Sequence, residues 1–369
     1  MKKMKLLTLS LTAFLAVNLN ALSLDEAVSI ALKNNFEIQG KNYDYLESLE
    51  NINSVNSNNL PKLDAVYGFT NTDKPNIGYE SDEAVASIAL SYNLFNGFKD
   101  ISLKESSKYL SLSSQHGLNA TKQDIVLNTK TAYINYLDKK NALETYNSAY
   151  ILFQEQYEDS KHRYEQGLIA KNDLLQVQVN MSNAKQNVVK AQGDLKISSF
   201  TLSNILGGMD LSKEKIEDLD EKSLQSFTYN EELLENRSEI QALLLNLKSI
   251  KELEKSTNSG YYPKIDATVS HNKYFDELSK KVEDKQENQN IAKINATWNL
   301  YNGGYDSSQN AIYKTKYLSA TSLLNKTKLD IKLQYENAKS NLQVSSENLE
   351  TSKLALLQAQ ENYSIVKNR

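Results

Sequence analysis

The stretch YNLFNG, Tyr92–Gly97, recurs almost unchanged as WNLYNG, Trp298–Gly303, 206 residues further along the chain. Upstream of this motif an offset of 202 residues aligns NNFEIQ, Asn34–Gln39, with NRSEIQ, Asn236–Gln241. The difference of four residues falls between about residues 70 and 90, where a polar surface loop can absorb it at little cost. The chain of 369 residues is therefore a tandem duplication of one structural unit.

Segments of alternating apolar and polar residues lie before each motif, as expected of strands with one apolar face. Residues 63–70 and 86–95 alternate in the first copy, and residues 265–270 and 294–300 alternate in the second. Their lengths are close to the about 9–11 residues with which a tilted strand crosses an outer membrane. An ordinary half-buried hairpin would show the same alternation. The positions predicted to face lipid in transmembrane strands are Ile88, Leu90, Tyr92, Ile294 and Trp298.

After each motif the apolar period changes from two residues to about 3.5, the repeat of a coiled coil. One heptad seam runs from Leu143 to Tyr164, and a second runs from Leu174 to Ile205. Residues 100–166 contain no Pro and a single Gly, so one helix of about 100 Å is predicted there. A turn at Gly167 and a second helix over about 171–206 complete a helical hairpin.

The first 21 residues have the pattern of a secretory signal peptide. Three lysines precede an apolar stretch, Leu6–Val17, and the small residue Ala21 offers a cleavage site. The apolar stretch is shorter than the roughly 20 residues of a membrane helix, and no other segment comes closer. A net charge of -4 gives no support to nucleic-acid binding, which requires a basic surface.

Residues suited to catalysis or metal binding are few and scattered. The three histidines, His116, His162 and His271, lie far apart in the sequence, and the chain has no Cys and no Gly-rich phosphate loop. Neither a nucleophile triad nor a metal cluster is indicated. We therefore expect no enzymatic activity and no cofactor. The charged run KEKIEDLDEK, Lys213–Lys222, predicts a solvated linker between the two copies.

Four further stretches, taken together with the duplicated motif, allow a comparison with known protein families. They are LSLDEAVSIALKNNFEI (Leu22–Ile38), NNLPKLDA (Asn58–Ala65), GYYPKIDA (Gly260–Ala267) and RYEQGLIAKNDLLQVQ (Arg163–Gln178). Two long helices, a strand hairpin and a repeat of the whole set, in an exported chain, resemble the TolC-type outer-membrane efflux proteins, or outer membrane factors. The resemblance covers nearly all of the chain after the signal peptide.

The resemblance implies a mainly α fold with a small β part. Tandem-repeat, long α-helical coiled-coil hairpins and two transmembrane β-hairpins would assemble as a homotrimer into an α-barrel and a 12-stranded β-barrel. Four strands cannot close a membrane barrel alone, because an open sheet edge is not tolerated in lipid. The implied function is a passive exit duct for small molecules or polypeptides in a tripartite efflux pump or type I secretion system. It would sit in the bacterial outer membrane with its helices extending into the periplasm.

The family's helical hairpin ends dock a periplasmic adaptor protein, which connects the duct indirectly to an inner-membrane transporter. The matching turn here is Gly167, Leu168, Ile169 and Ala170. The resemblance assigns entrance gating to Asp173. A routine turn between two helices would show the same residues.

The duplication and the resemblance together divide the chain into four parts. Residues 1–21 are the signal peptide, 22–207 the first repeat, 208–234 a linker or equatorial segment, and 235–369 the second repeat. ENYSIVKNR at the end matches EQYEDSKHR of the first copy, so we expect the second repeat to lack its final helix and the sequence to be a fragment. The alternative function is a secreted coiled-coil structural or adaptor protein without a pore.

Overall fold

A computed structural model describes residues 21–73, 82–219, 231–275 and 288–367. All of the predicted signal peptide except Ala21 lies outside these residues, as do residues 220–230 of the predicted linker. The chain divides into two compact units, Met1–Gln39 with Thr121–Gln225 and Gly40–Ala120 with Ser226–Arg369. The compact units therefore do not coincide with the two sequence repeats.

Helices make up most of the described chain, which confirms the predicted class of a mainly α protein with a small β part. The helices are α1 (Leu24–Asn34), α2 (Phe36–Asn56), α3 (Lys99–Glu165), α4 (Lys171–Ile205), α5 (Glu231–Glu235), α6 (Ser238–Thr257) and α7 (Tyr305–Lys367). Short 3₁₀ turns cover Ser57–Asn59, Leu211–Lys213 and Asn258–Tyr261. The helices of the described residues are too short or too polar to cross a membrane.

Four antiparallel strands form one sheet in the order β1 (Lys62–Asn71), β2 (Asp82–Asn96), β3 (Lys264–Tyr274), β4 (Gln289–Thr297). Residues directly opposite each other share a face, and one such row contains Leu63, Leu90, Val269 and Ala292. This row lies on the apolar face that the alternation predicts. β1 and β4 are the edge strands, and all of their residues are exposed.

A β-bulge interrupts the pairing of β2 with β3. Asn93 lies opposite Asp266, but the next pair is Phe95 with Ile265, so Leu94 is the additional residue. The simple alternation predicted for residues 86–95 therefore fails at Leu94. Beyond the bulge it is Phe95 that continues the row of apolar side chains.

Trp298, predicted to face lipid in a transmembrane strand, follows the last residue of β4 in the single chain. β4 ends at Thr297, which pairs with Lys264, the first residue of β3. Pro263 precedes Lys264 and has no N–H to donate. Within the described residues no strand therefore lies beside Trp298.

The helical hairpin buries the predicted second heptad seam. The seam positions of α4 that are buried are Ala184, Val188, Ala191, Ser198 and Leu202. Small residues at three of these five positions allow neighbouring helices to approach closely. Tyr133 of α3, in the same unit, has no exposed surface.

In the other unit, α6 and α7 share an apolar core. Ile240 and Leu247 of α6 pack with Leu324 and Ile331 of α7. Serines join α3 to its neighbours, since the Ser106 Oγ lies 2.8 Å from the Ser249 Oγ of α6 and the Ser48 Oγ donates to the Ser111 Oγ at 3.1 Å. In this unit α3 thus contacts α2 and α6 through small side chains.

Candidate functional site

The turn between α3 and α4 contains the four residues predicted to dock an adaptor. Gly167 has φ 73°, and its N–H donates to the Tyr164 carbonyl at 2.9 Å. The Leu168 N–H donates to the Arg163 carbonyl at 2.8 Å. These two bonds form a Schellman motif, which ends α3 and places Leu168 just outside the helix. The Leu168 side chain is 68% exposed, so the turn presents an apolar group to its surroundings.

Asp173, the predicted gating residue, lies in the first turn of α4. Its carboxylate accepts a hydrogen bond from the Ala170 N–H at 3.4 Å. A carboxylate at this position satisfies a free amide of the helix N-terminus and opposes the positive end of the helix dipole. Asp173 is exposed, and on the other side of the turn Arg163 is paired with Asp159 at 2.9 Å.

The sheet brings four of the five predicted membrane-facing residues onto one exposed face. Tyr92, Ala267 and Ile294 lie opposite one another in a single row. Ile88 and Leu90 occupy the next rows toward the hairpin ends. Trp298 follows the last residue of β4.

Aromatic side chains border this sheet at both ends. Near the helices, the ring centroids of Phe95 and Phe98 are 5.1 Å apart, and Phe98 is 5.6 Å from Tyr262. Near the hairpin end, Tyr67 lies 6.1 Å from Phe275. Aromatic borders on both sides of an apolar band are typical of transmembrane strands. Among the aromatic residues, only Tyr92 and Trp298 were predicted from the sequence to face lipid.

The opposite face of the sheet is polar and lines a cavity of about 600 Å³. Asp100 is buried there, and its carboxylate accepts hydrogen bonds from Asn93 at 2.6 Å and Asn96 at 3.3 Å. Lys264 is paired with Asp266 at 3.1 Å on the same side.

The sequence analysis did not assign a role to Asp100. A signal for it exists, because the duplicated motif carries an Asp four residues after its second Asn in both copies. In the second copy Asn302 donates to Asp306 at 3.4 Å. The carboxylate thus accepts a hydrogen bond from the second Asn of the motif in each repeat.

The structure does not assemble a metal centre from the described parts of the chain. Among residues 21–73, 82–219, 231–275 and 288–367, no group of three or more His, Asp or Glu side chains could hold a metal ion. His116 and His162 lie along α3, and His271 lies in β3, where its Nδ1 is 2.8 Å from the Asn290 Oδ1.

Comparison with known proteins gives relatives that match this arrangement along most of the chain. "Outer membrane protein TolC" of Escherichia coli strain K12 is 23% identical over 370 residues, covering 96% of this chain and 74% of that protein. "Outer membrane protein TolC" of Vibrio cholerae is 24% identical, covering 83% of this chain and 69% of that protein.

A solved structure has the same fold. The outer membrane channel CmeC of Campylobacter jejuni superposes with a TM-score of 0.71 at 17% sequence identity, covering 86% of this chain and 73% of that one. A family model described as "Outer membrane efflux protein" matches residues 27–208 and 230–369, which is most of the sequence. These matches confirm the resemblance drawn from the duplicated motif. The chain belongs to the outer membrane efflux protein family and is a protein of the outer membrane.

Proposed function

We propose that the chain is a passive exit duct that works as a homotrimer in a tripartite efflux pump or a type I secretion system. The observation that carries this proposal is the four-stranded sheet, which has an exposed apolar face and whose edge strands, β1 and β4, each pair with one strand only within the described residues. An edge left open in lipid would expose unsatisfied backbone groups. Three copies supply twelve strands, which is within the range of closed membrane barrels of about 8 to 26 strands.

The two faces of the sheet support a water-filled path inside the proposed barrel. Leu63, Leu90 and Val269 lie on one face, whereas Ser91, Asp266 and Thr268 line the polar cavity on the other. In such a barrel the apolar face would contact the lipid outside, and the polar face would contact the water inside. Passage through such a duct needs no chemistry by the chain itself. Transport energy would come from an inner-membrane transporter.

The turn Gly167–Ala170 is the proposed docking surface for a periplasmic adaptor. Leu168 supports this role, because an exposed apolar side chain on a rigid turn can fill a pocket of a partner. Asp173, within one helical turn of Ala170, is the proposed acidic group of the entrance. Its exposed carboxylate can repel anions there and attract cations.

Arginine placed on either face of β2 tests the duct. Leu90→Arg puts a charge on the apolar face, where an arginine near the bilayer midplane costs about 2–4 kcal/mol. Ser91→Arg puts the same charge on the polar face, one residue away. We expect the wild-type chain and the Ser91→Arg variant to form conducting pores in planar lipid bilayers, with cation selectivity lowered in the variant. Leu90→Arg should insert poorly.

Circular dichroism provides the control that both variants keep their helices. Equal insertion of Leu90→Arg and wild type would show that this face does not meet lipid. A wild-type chain that forms no conducting pore would contradict the duct itself.

A further inference from the structure

The apolar face of the sheet carries polar side chains near the hairpin ends of β3 and β4. They are His271, Lys273 and Asn290, which we call the basic patch, and all three are exposed. Strand pairing places the patch on this face, because His271 lies opposite Ile88 and Lys273 lies opposite Ala86. A charged group on a face that meets lipid is costly unless it has a partner there.

The sequence repeat shows that the strand itself does not require these groups. At the offset of 202 residues that aligns β3 with β1, His271 corresponds to Phe69 and Lys273 corresponds to Asn71. The first copy therefore builds the equivalent strand with neutral residues. The positive charge of Lys273 is thus available for a function outside the sheet.

Lys273 lies close to the far boundary of the apolar band. Ile265 of β3 pairs with Phe95 of the aromatic border near the helices, and Phe275 belongs to the border at the hairpin end. At about 3.3 Å per residue and a strand tilt of about 40°, the distance from Ile265 to Phe275 along the membrane normal is about 25 Å. This distance equals the height of the apolar band of transmembrane strands. Lys273, two residues before Phe275, lies about 5 Å inside the boundary.

The Lys273 side chain extends toward this boundary. Its Nζ lies 5.2 Å from the centroid of the Phe275 ring, which is nearer the hairpin end. Within the described parts of the chain no carboxylate is paired with this ammonium group. A lysine in this position keeps its stem beside apolar side chains and brings its charge to the level of the lipid headgroups.

A cavity of about 390 Å³ lies beside the basic patch. His271 and Lys273 of β3 line it together with Ala65, Tyr67 and Ile88 of the two preceding strands. The cavity therefore has basic groups on one side and apolar groups on the other. This combination fits an amphiphile with a negatively charged head and a hydrocarbon chain.

We propose that the basic patch binds the phosphate of an anionic lipid in the outer leaflet of the membrane. The inference rests on the proposed duct, whose apolar face contacts lipid. The helices extend into the periplasm, so the hairpin ends and the patch lie at the opposite surface of the membrane. The hydrocarbon chain of the lipid lies along Ala65 and Ile88, which distinguishes this ligand from free phosphate.

Two residues of the patch have separate roles toward the phosphate. Lys273 supplies the positive charge. Asn290 supplies an amide N–H, because its Oδ1 already lies 2.8 Å from the His271 Nδ1 and its Nδ2 is left for another partner. His271 therefore holds the Asn290 amide in the orientation that presents a donor to the lipid.

Lipid retention by the full chain in detergent tests the patch. The probes are dioleoylphosphatidylglycerol, which is anionic, and dioleoylphosphatidylcholine, which has the same chains and no net charge. Equal amounts of both are added, and native mass spectrometry counts the lipids that remain on the protein. We expect the preference for phosphatidylglycerol to be about fivefold weaker in Lys273→Gln than in the wild type. Lys273→Arg should keep the preference of the wild type.

A lysine on the other face of β4 provides the matched control. Lys293 lies opposite Thr268, which lines the polar cavity, and Lys293→Gln should keep the preference of the wild type. Asn290→Ala should weaken the preference, and it serves if Lys273→Gln disturbs folding. Equal preferences in the wild type, Lys273→Gln and Asn290→Ala would overturn the patch. Displacement of phosphatidylglycerol by inorganic phosphate, but not by sodium chloride of equal ionic strength, would also overturn it, because the ligand would then be free phosphate.

The same variants distinguish a failure of the lipid site from a failure of the duct. Conducting pores from a chain whose preference does not depend on Lys273 overturn the lipid site alone. A preference lost in Lys293→Gln and kept in Lys273→Gln overturns both, because the polar face would then meet lipid. A preference lost only in Lys273→Gln, from a chain that forms no conducting pore, supports the lipid site and contradicts the duct.

Discussion

Tyr133 is a single side chain that ties two segments of its unit together. Its hydroxyl group lies 2.8 Å from the Leu22 carbonyl and 2.7 Å from the Glu217 carbonyl. These segments also bond directly, because the Glu217 N–H donates to the Leu22 carbonyl at 3.0 Å. Burial, with the nearby negative charge of Glu217, raises the pKa of Tyr133 to about 12. The phenol must therefore remain protonated to hold the segments before α1 and after α4.

This shift predicts a loss of stability in alkali. The folded pKa lies above the usual value of 10.0, so the stability that Tyr133 contributes is complete below pH 10 and is lost as pH rises toward 12. Between pH 9 and pH 11 the free energy of unfolding of the wild type should fall by roughly 1 kcal/mol more than that of Tyr133→Phe. Urea unfolding followed by circular dichroism at both pH values measures the difference. Parallel pH profiles would contradict the prediction.

At the scale of the element, α4 has two apolar faces with different neighbours. The face described above is buried within the chain, whereas a second set of large apolar residues remains exposed. The exposed set is Leu175, Val179, Val189, Ile197 and Phe200. A helix with apolar residues on both faces is suited to contacts on two sides. The buried face belongs to the fold of the single chain, and the exposed face is available for assembly.

Two adjacent valines of α4 lie on different faces, one on the buried face and one on the exposed face. Val188 is 8% exposed and Val189 is 61% exposed. Val188→Ala should lower the free energy of unfolding of the detergent-solubilised chain by about 2 kcal/mol, because two buried methyl groups are lost. Val189→Ala should change it by less than about 0.5 kcal/mol in the monomer. Urea midpoints of the two variants provide the comparison, and equal midpoints would contradict this division of the helix.

The sequence alone was sufficient to predict α4 and its buried face, because the heptad seam lies in consecutive turns of one segment. It was also sufficient for the apolar face of the sheet, where alternation is a local property. It was insufficient for the bulge at Leu94 and for the end of β4 at Thr297, because both depend on where β3 begins. Asp100 is a different case, because the Asp that follows the motif in both copies does signal its role in the sequence. Properties set by a neighbour distant in sequence are not encoded in a local pattern.

At the scale of the whole molecule, the described chain keeps a large apolar surface exposed on several elements. The edge strands β1 and β4 in one unit and the second face of α4 in the other unit each carry such side chains. Soluble monomers rarely leave so many large apolar side chains in contact with water. Lipid and further copies of the chain would cover them in the proposed duct.

The proposed assembly predicts unequal effects of a negative charge on adjacent residues of α4. Ile197→Glu places the charge on the exposed apolar face, where another protomer would pack, so the trimer should dissociate at a lower temperature. Lys196→Glu, one residue earlier and also exposed, should have little effect. Both variants should retain the helical circular dichroism of the wild type. Semi-denaturing gels over a temperature series measure trimer loss, and identical curves would contradict an interface on this face.

The pairing of β2 with β3 has a consequence for the time course of folding. Ile88 and His271 are neighbours in the sheet although α3, α4 and α6 all lie between them in sequence. Closing so long a loop is slow, whereas each hairpin forms from adjacent residues and needs no distant partner. The β1–β2 and β3–β4 hairpins should therefore form first, and the pairing of β2 with β3 should follow later. During this delay each chain exposes four strand edges instead of two, and it is then most prone to aggregation.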